Sequence, residues 1–395
     1  MNLAGEQSKI NIFEKPHILI IVKYCTIFDR TDYIVHFDSI NTSANIVINI
    51  INKFNMKKKN PYQKMLTFAV LLVFTSIISV SNYAQVVPAK KFFAVTIDNN
   101  NNKWFLTDQG LVSFNGAQWT HHKDKMQGME MRDIFFDSGT EGTGFWIATG
   151  SGITSLRAPL EPGSSSSSYD TDNASLLSNN VLKVVTGKNK ITWIGTEKGV
   201  SAFTGSKWLD VDYDEFYPSV IFQEYPITAM ATNQAGDSLY VATKGAGIAR
   251  VFRNEVDGIS GASVYAQWGP IILPSDNVTS VFIEKNGKKW FGTDMGVAYH
   301  IGDETLENWE VYTTDDGLVN DYVQSITADQ KGNLWFGTTE GISVFNGTAF
   351  TNYTIDNGLS SNNILCLTID KEGVIWIGTD NGVNSFSSGA FKSYK

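Results

Sequence analysis

Cysteine is almost absent. The 395 residues hold two, Cys25 and Cys366, and proline is limited to nine. So few cysteines exclude a disulfide scaffold. Basic charge is also in short supply, with 31 Lys and Arg against 40 Asp and Glu and a formal net charge of -9. A phosphate-binding surface needs a net basic face, so nucleic acid is not expected as a partner. Beyond residue 84 no apolar periodicity of 3.6 residues is found, and helices are not expected there. What the chain does have is 34 Gly, ten Trp and an aromatic share of 12%. That composition is too apolar and aromatic for disorder.

Residues 56–84 read as a secretory signal. Lys57, Lys58, Lys59 and Lys64 form a basic leader, Met65 to Val80 carries no charge, and a small-residue exit follows near Ser81 or Ala84. The apolar run of 16 residues is shorter than the roughly 20 a spanning helix needs, so cleavage rather than a membrane anchor is expected. No Cys follows it to take a lipid. A signal acts from the amino terminus, so translation is expected to start at Met56. Residues 1–55, rich in Ile and Asn, would then be absent from the native protein or disordered, with a small extra domain as the alternative. Residues 85–395 carry 22 basic and 35 acidic side chains, a net of -13, in what is expected to be one domain exported to the periplasm or beyond. Cys366 is then the lone thiol, and its setting in ILCLTID suits a buried core position.

Self-similarity at a fixed period sets the architecture. An aromatic, an apolar residue, a small residue and Thr, closed by a turn Gly, recur at Trp104, Trp146, Trp193, Tyr240, Trp290, Trp335 and Trp376. The spacings of 42, 47, 47, 50, 45 and 41 residues match a four-stranded propeller blade. An apolar strand and a polar hairpin turn precede each motif, and two further strands follow. The last of these shows aromatic pairs such as Phe350 with Tyr353 and Phe391 with Tyr394. The expected fold is all-β, a seven-bladed β-propeller of four-stranded antiparallel blades. The Trp series is expected in the core, the Thr to cap the turn, and the small residue to make room for a ring of the neighbouring blade. The sequence shows no strand shared between first and last blades, so the ring closes by face packing or with an edge from residues 85–91.

The string running from Gly317-Leu318 through Asp329, Gly332, Trp335 and Thr338, and again from Gly358-Leu359 through Asp370, Gly373, Trp376 and Thr379, resembles the two-component regulator propeller repeat. The resemblance implies the periplasmic sensor half of a hybrid two-component regulator, many of which detect oligosaccharides. Such regulators continue into a membrane span and a kinase; neither is seen here, so an orphan relative is expected.

Candidate binding residues follow from the propeller geometry, in which loops leading into inner strands surround the channel mouth. Asn180, Asn277, Asp321 and Asn363 occupy such lead-ins, where Asx side chains also cap turns. The segment DVDYDEFYPSVIFQEYP departs from the repeat. Its Tyr213, Phe216, Tyr217, Phe222 and Tyr225 stand among carboxylates, a pairing that suits a sugar, with packing on the loop's neighbour or on a protein partner as the alternative. Met126, Met129 and Met131 form an adaptable apolar group, and the Ser-rich run 163–175 reads as a mobile surface loop. The body holds only His121, His122 and His300, without metal or nucleophile spacing, so no catalytic residue, metal or cofactor is assigned. Asp98 to Asn102 looks like a calcium loop but falls on a hairpin turn of the repeat, and Asp210, Asp212 and Asp214 are a weaker candidate. The functional expectation is a non-catalytic propeller binding a small ligand, an oligosaccharide among the candidates, or an envelope protein. The alternatives are a propeller lyase or glycan-acting enzyme, and a structural component of the envelope.

Overall fold

The computed structural model describes residues 10–15, 18–27 and 30–37. From residue 87 onward it describes all but 123–129, 139–143, 159, 161–164, 210–224, 237, 254–258, 261–263, 266–272, 303–307 and 395. The chain divides into two compact units, Met1–Ala84 and Gln85–Lys395. In the first, strands Ile10–Lys15, Ile18–Ile27 and Arg30–Phe37 pair antiparallel in chain order. The expected signal segment lies outside the described residues.

The second unit is a seven-bladed β-propeller. Its inner strands are Phe92–Ile97, Met131–Asp137, Val181–Thr186, Ile227–Thr232, Val278–Ile283, Val323–Ala328 and Ile364–Ile369. Each begins a sheet whose strands follow in chain order outward, all antiparallel. Blade 4 departs at its rim, where the third strand Ile248–Arg253 pairs with two short pieces, Ile259–Ser260 and Val264–Tyr265. Among the described residues there is no α-helix, and two 3-10 turns, Thr314–Asp316 and Ile355–Asn357, interrupt the connections into blades 6 and 7.

The repeated residues have readable duties. In all seven blades the motif Thr donates its hydroxyl to the carbonyl of the Gly that closes the turn, at 2.7–2.9 Å. The same oxygen accepts a turn amide, as from Gln109, Lys198 and Asn381. These hydroxyls are buried, so each turn is satisfied without water. Gly110, at φ 108°, and Gly382, at φ 111°, sit where a side chain would be strained.

The Asp six residues before the Trp is the other fastener. Asp98 accepts the amides of Asn100 and Asn102, the Asn102 side chain and the Trp104 indole N–H at 2.9 Å. Asp329 and Asp370 do the same work for Trp335 and Trp376. The Asp98–Asn102 run is therefore a hairpin cap, and its carboxylate is already spent. In blade 3 that position is Gly187, and the buried Trp193 indole N–H is left without a partner.

The motif aromatics are core residues, none more than 8% exposed. In three of the four blades where the residue two positions after the aromatic is Gly, it does not face a ring, contrary to expectation. A Cβ on Gly195, Gly292 or Gly337 would meet the first residue of the next inner strand, Ile227, Val323 or Ile364, at 2.6–3.1 Å. Only Gly378 faces an aromatic there, Phe92. The small residue thus sets how closely consecutive blades approach at the axis.

Closure uses the same contacts. The inner strands touch in ring order, with that of blade 7 against that of blade 1. At this seam Phe92, Phe105, Phe114, Trp376, Val383 and Tyr394 form one core cluster. The Gly152 amide donates to Asn179 O, two residues before an inner strand, and Gly296 to Asp321 O; at the seam Gly382 donates to Lys90 O at 2.7 Å. Face packing closes the ring together with this backbone bond and with bonds from Lys371 to Asn99 O and Asn101 Oδ1 and from Cys366 Sγ to Phe92 O, and no strand is shared among the described residues. A buried ion pair, Lys103 Nζ to Asp370 Oδ2 at 2.9 Å, adds to it.

Two outcomes follow for unfolding measurements. Gly337→Ala overpacks the blade 6–7 contact and should cost about 1–3 kcal/mol in denaturant titrations. Asp370→Ala strands the Lys103 charge and should cost about 3–5 kcal/mol. Burial raises the Asp370 pKa, but the Lys103 and Trp376 donors outweigh it and hold the carboxyl below its usual range. Its contribution is therefore complete above the unfolded value of about 3.9 and lost as pH falls through the lower folded value. The gap between Asp370→Ala and the parent chain should close in strong acid.

Candidate functional site: the loop face and channel

Each inner strand starts on one side of the ring, so the connections into it and the turns between second and third strands share that side, here called the loop face. The lead-in has two steps. Two residues before the strand, Asn179, Asp321 and Asn362 accept the amides of Thr171, Thr314 and Ile355 at 2.7–2.8 Å. One residue before it, Asn180, Asn277 and Asn363 donate Nδ2 to the acid following the motif Thr, Glu197, Asp294 and Asp380, at 2.6, 2.8 and 3.1 Å. Asn180, Asn277 and Asn363 are thus equivalent, whereas Asp321 belongs to the earlier step and Tyr322 fills the later one. All four candidates spend side-chain bonds on the repeat itself. Donors from Asn180 and Ser178 hold the Glu197 carboxyl below its usual range. Two acceptors are left over: Asn180 Oδ1 and Asp294 Oδ1 are buried atoms without a hydrogen-bond partner.

Of the aromatic segment, Tyr213, Phe216, Tyr217 and Phe222 lie outside the described residues, as do Asp210, Asp212 and Asp214. Tyr225 is half-buried, packs on the core between blades 3 and 4, and lies against Gly245. Met126 and Met129 also lie outside, and Met131 begins the inner strand of blade 2, packed on the blade 1–2 core. The Ser-rich run is not all loop. Ser166–Tyr169 is the outer strand of blade 2, paired with Ile153–Leu156, and Tyr169 stacks against Trp146 and Phe203. The histidines serve packing and hydrogen bonding: His121 bonds Gln109 O, His122 bonds Ser113 and stacks on Trp104, and His300 stacks on Trp309. No cluster of metal-ligating side chains occurs among the described residues.

A channel of about 210 Å³ runs along the axis, lined by the inner strands of all seven blades. Every inner strand carries a bulge after its first residue. The bulge re-aims the next residues, which line the channel: Phe93 and Ala94, Asp133, Lys183, Thr228, Thr279, Gln324 and Cys366. Asp133 is the one carboxylate of that lining and Lys183 the one cation. Asp133 accepts the Val184 amide at 3.1 Å, a tie from blade 2 to blade 3. Burial pushes its carboxyl up, against the pull of Lys183 and the Val184 amide. Burial likewise pushes the Cys366 thiol up to about 12, and it donates to Phe92 O, as a core thiol should. Asp133 and Lys183 had a visible signal, since they are charges set into otherwise apolar inner strands.

The loop face also exposes apolar side chains. Six large hydrophobic residues are exposed among the described ones, and five lie on this face: Phe93, Leu177, Met295, Tyr322 and Ile355. Ile301 is the exception. No helix among the described residues is long and apolar enough to cross a membrane.

With this geometry in hand, comparison with known proteins is informative. The family described as the two component regulator propeller matches at residues 317–340 and 358–381, so blades 6 and 7 are built from repeats of that type. A solved structure similar in fold is described as the extracellular domain of a hybrid two component system, BT3049, from B. thetaiotaomicron. It is 21% identical with a TM-score of 0.64, over 77% of this chain and 40% of that one. The chain thus spans well under half the length of that domain. YCF48 from Cyanidioschyzon merolae is also similar, at 12% identity and a TM-score of 0.55 over 76% of this chain and 97% of its own. At such identities these likenesses concern the fold. No curated protein matches in sequence.

The channel charge gives a pH test. A carboxyl whose folded pKa is raised costs stability once ionised, and the cost grows as pH rises through the folded value. Asp133→Asn should therefore raise the thermal midpoint at pH 8, with the gain fading as pH falls toward about 3.9. An unchanged midpoint across that range would mean that the carboxyl is not shielded.

Proposed function

We propose that the propeller is an exported, non-catalytic binding module that takes a ligand or a protein partner on its loop face, in the manner of a sensor domain. The observation that carries this reading is the division of labour on that face. The repeated polar residues are consumed by the ring, while Phe93, Leu177, Met295, Tyr322 and Ile355 are the exposed large apolar side chains of that face among the described residues. Exposed apolar groups gathered on one face mark interaction sites. The blade 6 and 7 repeats and the fold shared with an extracellular domain of a two component system support it.

A glycan-acting enzyme is the second reading, and it would need two carboxylates about 5–10 Å apart at the mouth. Asp133 is shielded and has its pKa raised, but among the described residues it is the only carboxylate lining the channel. Glu197 is held ionised by its donors, unlike a proton-giving acid.

Thermal unfolding of the purified protein against a panel of glycans and peptides tests the proposal. A ligand at 100 times its Kd should stabilise the fold by about 2.7 kcal/mol, enough to move the midpoint by several degrees. Stabilisation without turnover is the expected result. Cleavage of the ligand would favour the enzyme, and a panel without effect would leave a structural role.

A further inference from the structure

The two faces of the ring differ in charge. Among the described residues, the connections and turns of the loop face carry thirteen Asp or Glu and four Lys or Arg. The turns of the opposite face carry five acidic and seven basic residues, and two of those acids, Asp98 and Asp370, are buried against indole N–H groups. Among the described turns and connections, the acidic excess therefore lies on the loop face. Much of it is uncommitted: Asp315, Glu340 and Asp356 are exposed and their side chains make no hydrogen bond.

The same face holds the exposed apolar groups, and their kind matters. Leu177, Met295 and Ile355 are aliphatic, with Met295 58% and Ile355 55% exposed. These aliphatic knobs suit the side chains of a polypeptide, and Met adapts to several shapes, while Phe93 and Tyr322 add two rings to the same face. A nucleic acid or an anionic glycan meets a repulsive field here. A neutral glycan would leave that field unanswered.

We propose that the loop face docks a basic polypeptide segment in which Lys or Arg alternates with apolar side chains, its charges answered by the rim carboxylates and its apolar groups by Met295, Tyr322 and Ile355. This rests on the loop-face reading above and names the partner's chemistry. Complementary potential steers encounter, so association should be fast at low salt and slow at high salt.

The test measures anisotropy of a short labelled peptide alternating Lys and Leu, with the same peptide carrying Glu for Lys as the control, against the full chain. Glu340→Lys on the loop face and Glu372→Lys on the opposite face change the net charge equally, and both sites are exposed without side-chain bonds. The double variant Asp315→Lys/Glu340→Lys should weaken the Lys peptide at least about tenfold at low salt, while Glu372→Lys leaves it within about twofold. Met295→Ser should weaken the binding that survives at high salt, where charges are screened. Unchanged thermal midpoints would show that the variants fold. Equal loss in both single charge reversals, or tight binding of the Glu peptide, would overturn the proposal. If the Lys peptide fails while a glycan stabilises the protein and protects loop-face amides from exchange, the cationic partner is wrong and loop-face binding stands. If nothing binds, both fall.

Discussion

The approach of one blade to the next at the axis is the constraint on which the rest depends. Where the motif carries Gly, the next inner strand opens with a bulky residue, Ile227, Val323, Ile364 or Phe92, seated over that Gly. That seat fixes the spacing of the inner strands, and the spacing fixes the channel. The bulge after the seated residue then turns the following side chains toward the axis. Seven inner strands touching in ring order bring the last blade to the first, and Phe92 takes the place over Gly378 that Ile364 takes over Gly337. Closure requires no shared strand because the seam is made of the contacts used everywhere else, with Lys103 and Asp370 added.

Much of this was legible in the sequence because the repeat reports on itself. Blade number, strand order, the burial of the Trp series and the Thr cap all follow from residues that recur at one period. The lead-in residues were harder. Asp321 looked equivalent to Asn180, Asn277 and Asn363, yet it stands one step earlier, because the two lead-in positions both favour Asx and sequence offers no register to separate them. The small residue was read as room for a ring, although a β-branched side chain usually takes that room; which face of the strand it belongs to depends on the bulge, which has no sequence mark. Ser166–Tyr169 hid in low complexity because its pairing needs only backbone and a single anchoring ring, Tyr169.

The proposed binding surface was legible only in outline. Sequence reasoning placed interest on the loop face, where Asn180, Asn277, Asp321 and Asn363 spend side-chain bonds on the repeat, while Tyr213, Phe216, Tyr217 and Phe222 lie outside the described residues. Met295, Tyr322 and Ile355 carry no motif and became visible only when burial separated them from the apolar residues of the core. Charge shows the same effect. The excess of acid is plain in composition, but its distribution between the faces among the described residues follows from which turns lie on which side, a property of topology.

The central claim is that the seam between blades 7 and 1 is equivalent to the other six contacts. Native-state hydrogen exchange of the inner strands tests it directly. The amides of Phe92–Ile97 and Ile364–Ile369 should open with the same free energy as those of Val278–Ile283 and Val323–Ala328, in one cooperative event. Faster exchange confined to the two seam strands would show a ring that opens there, and would contradict closure by equal contacts.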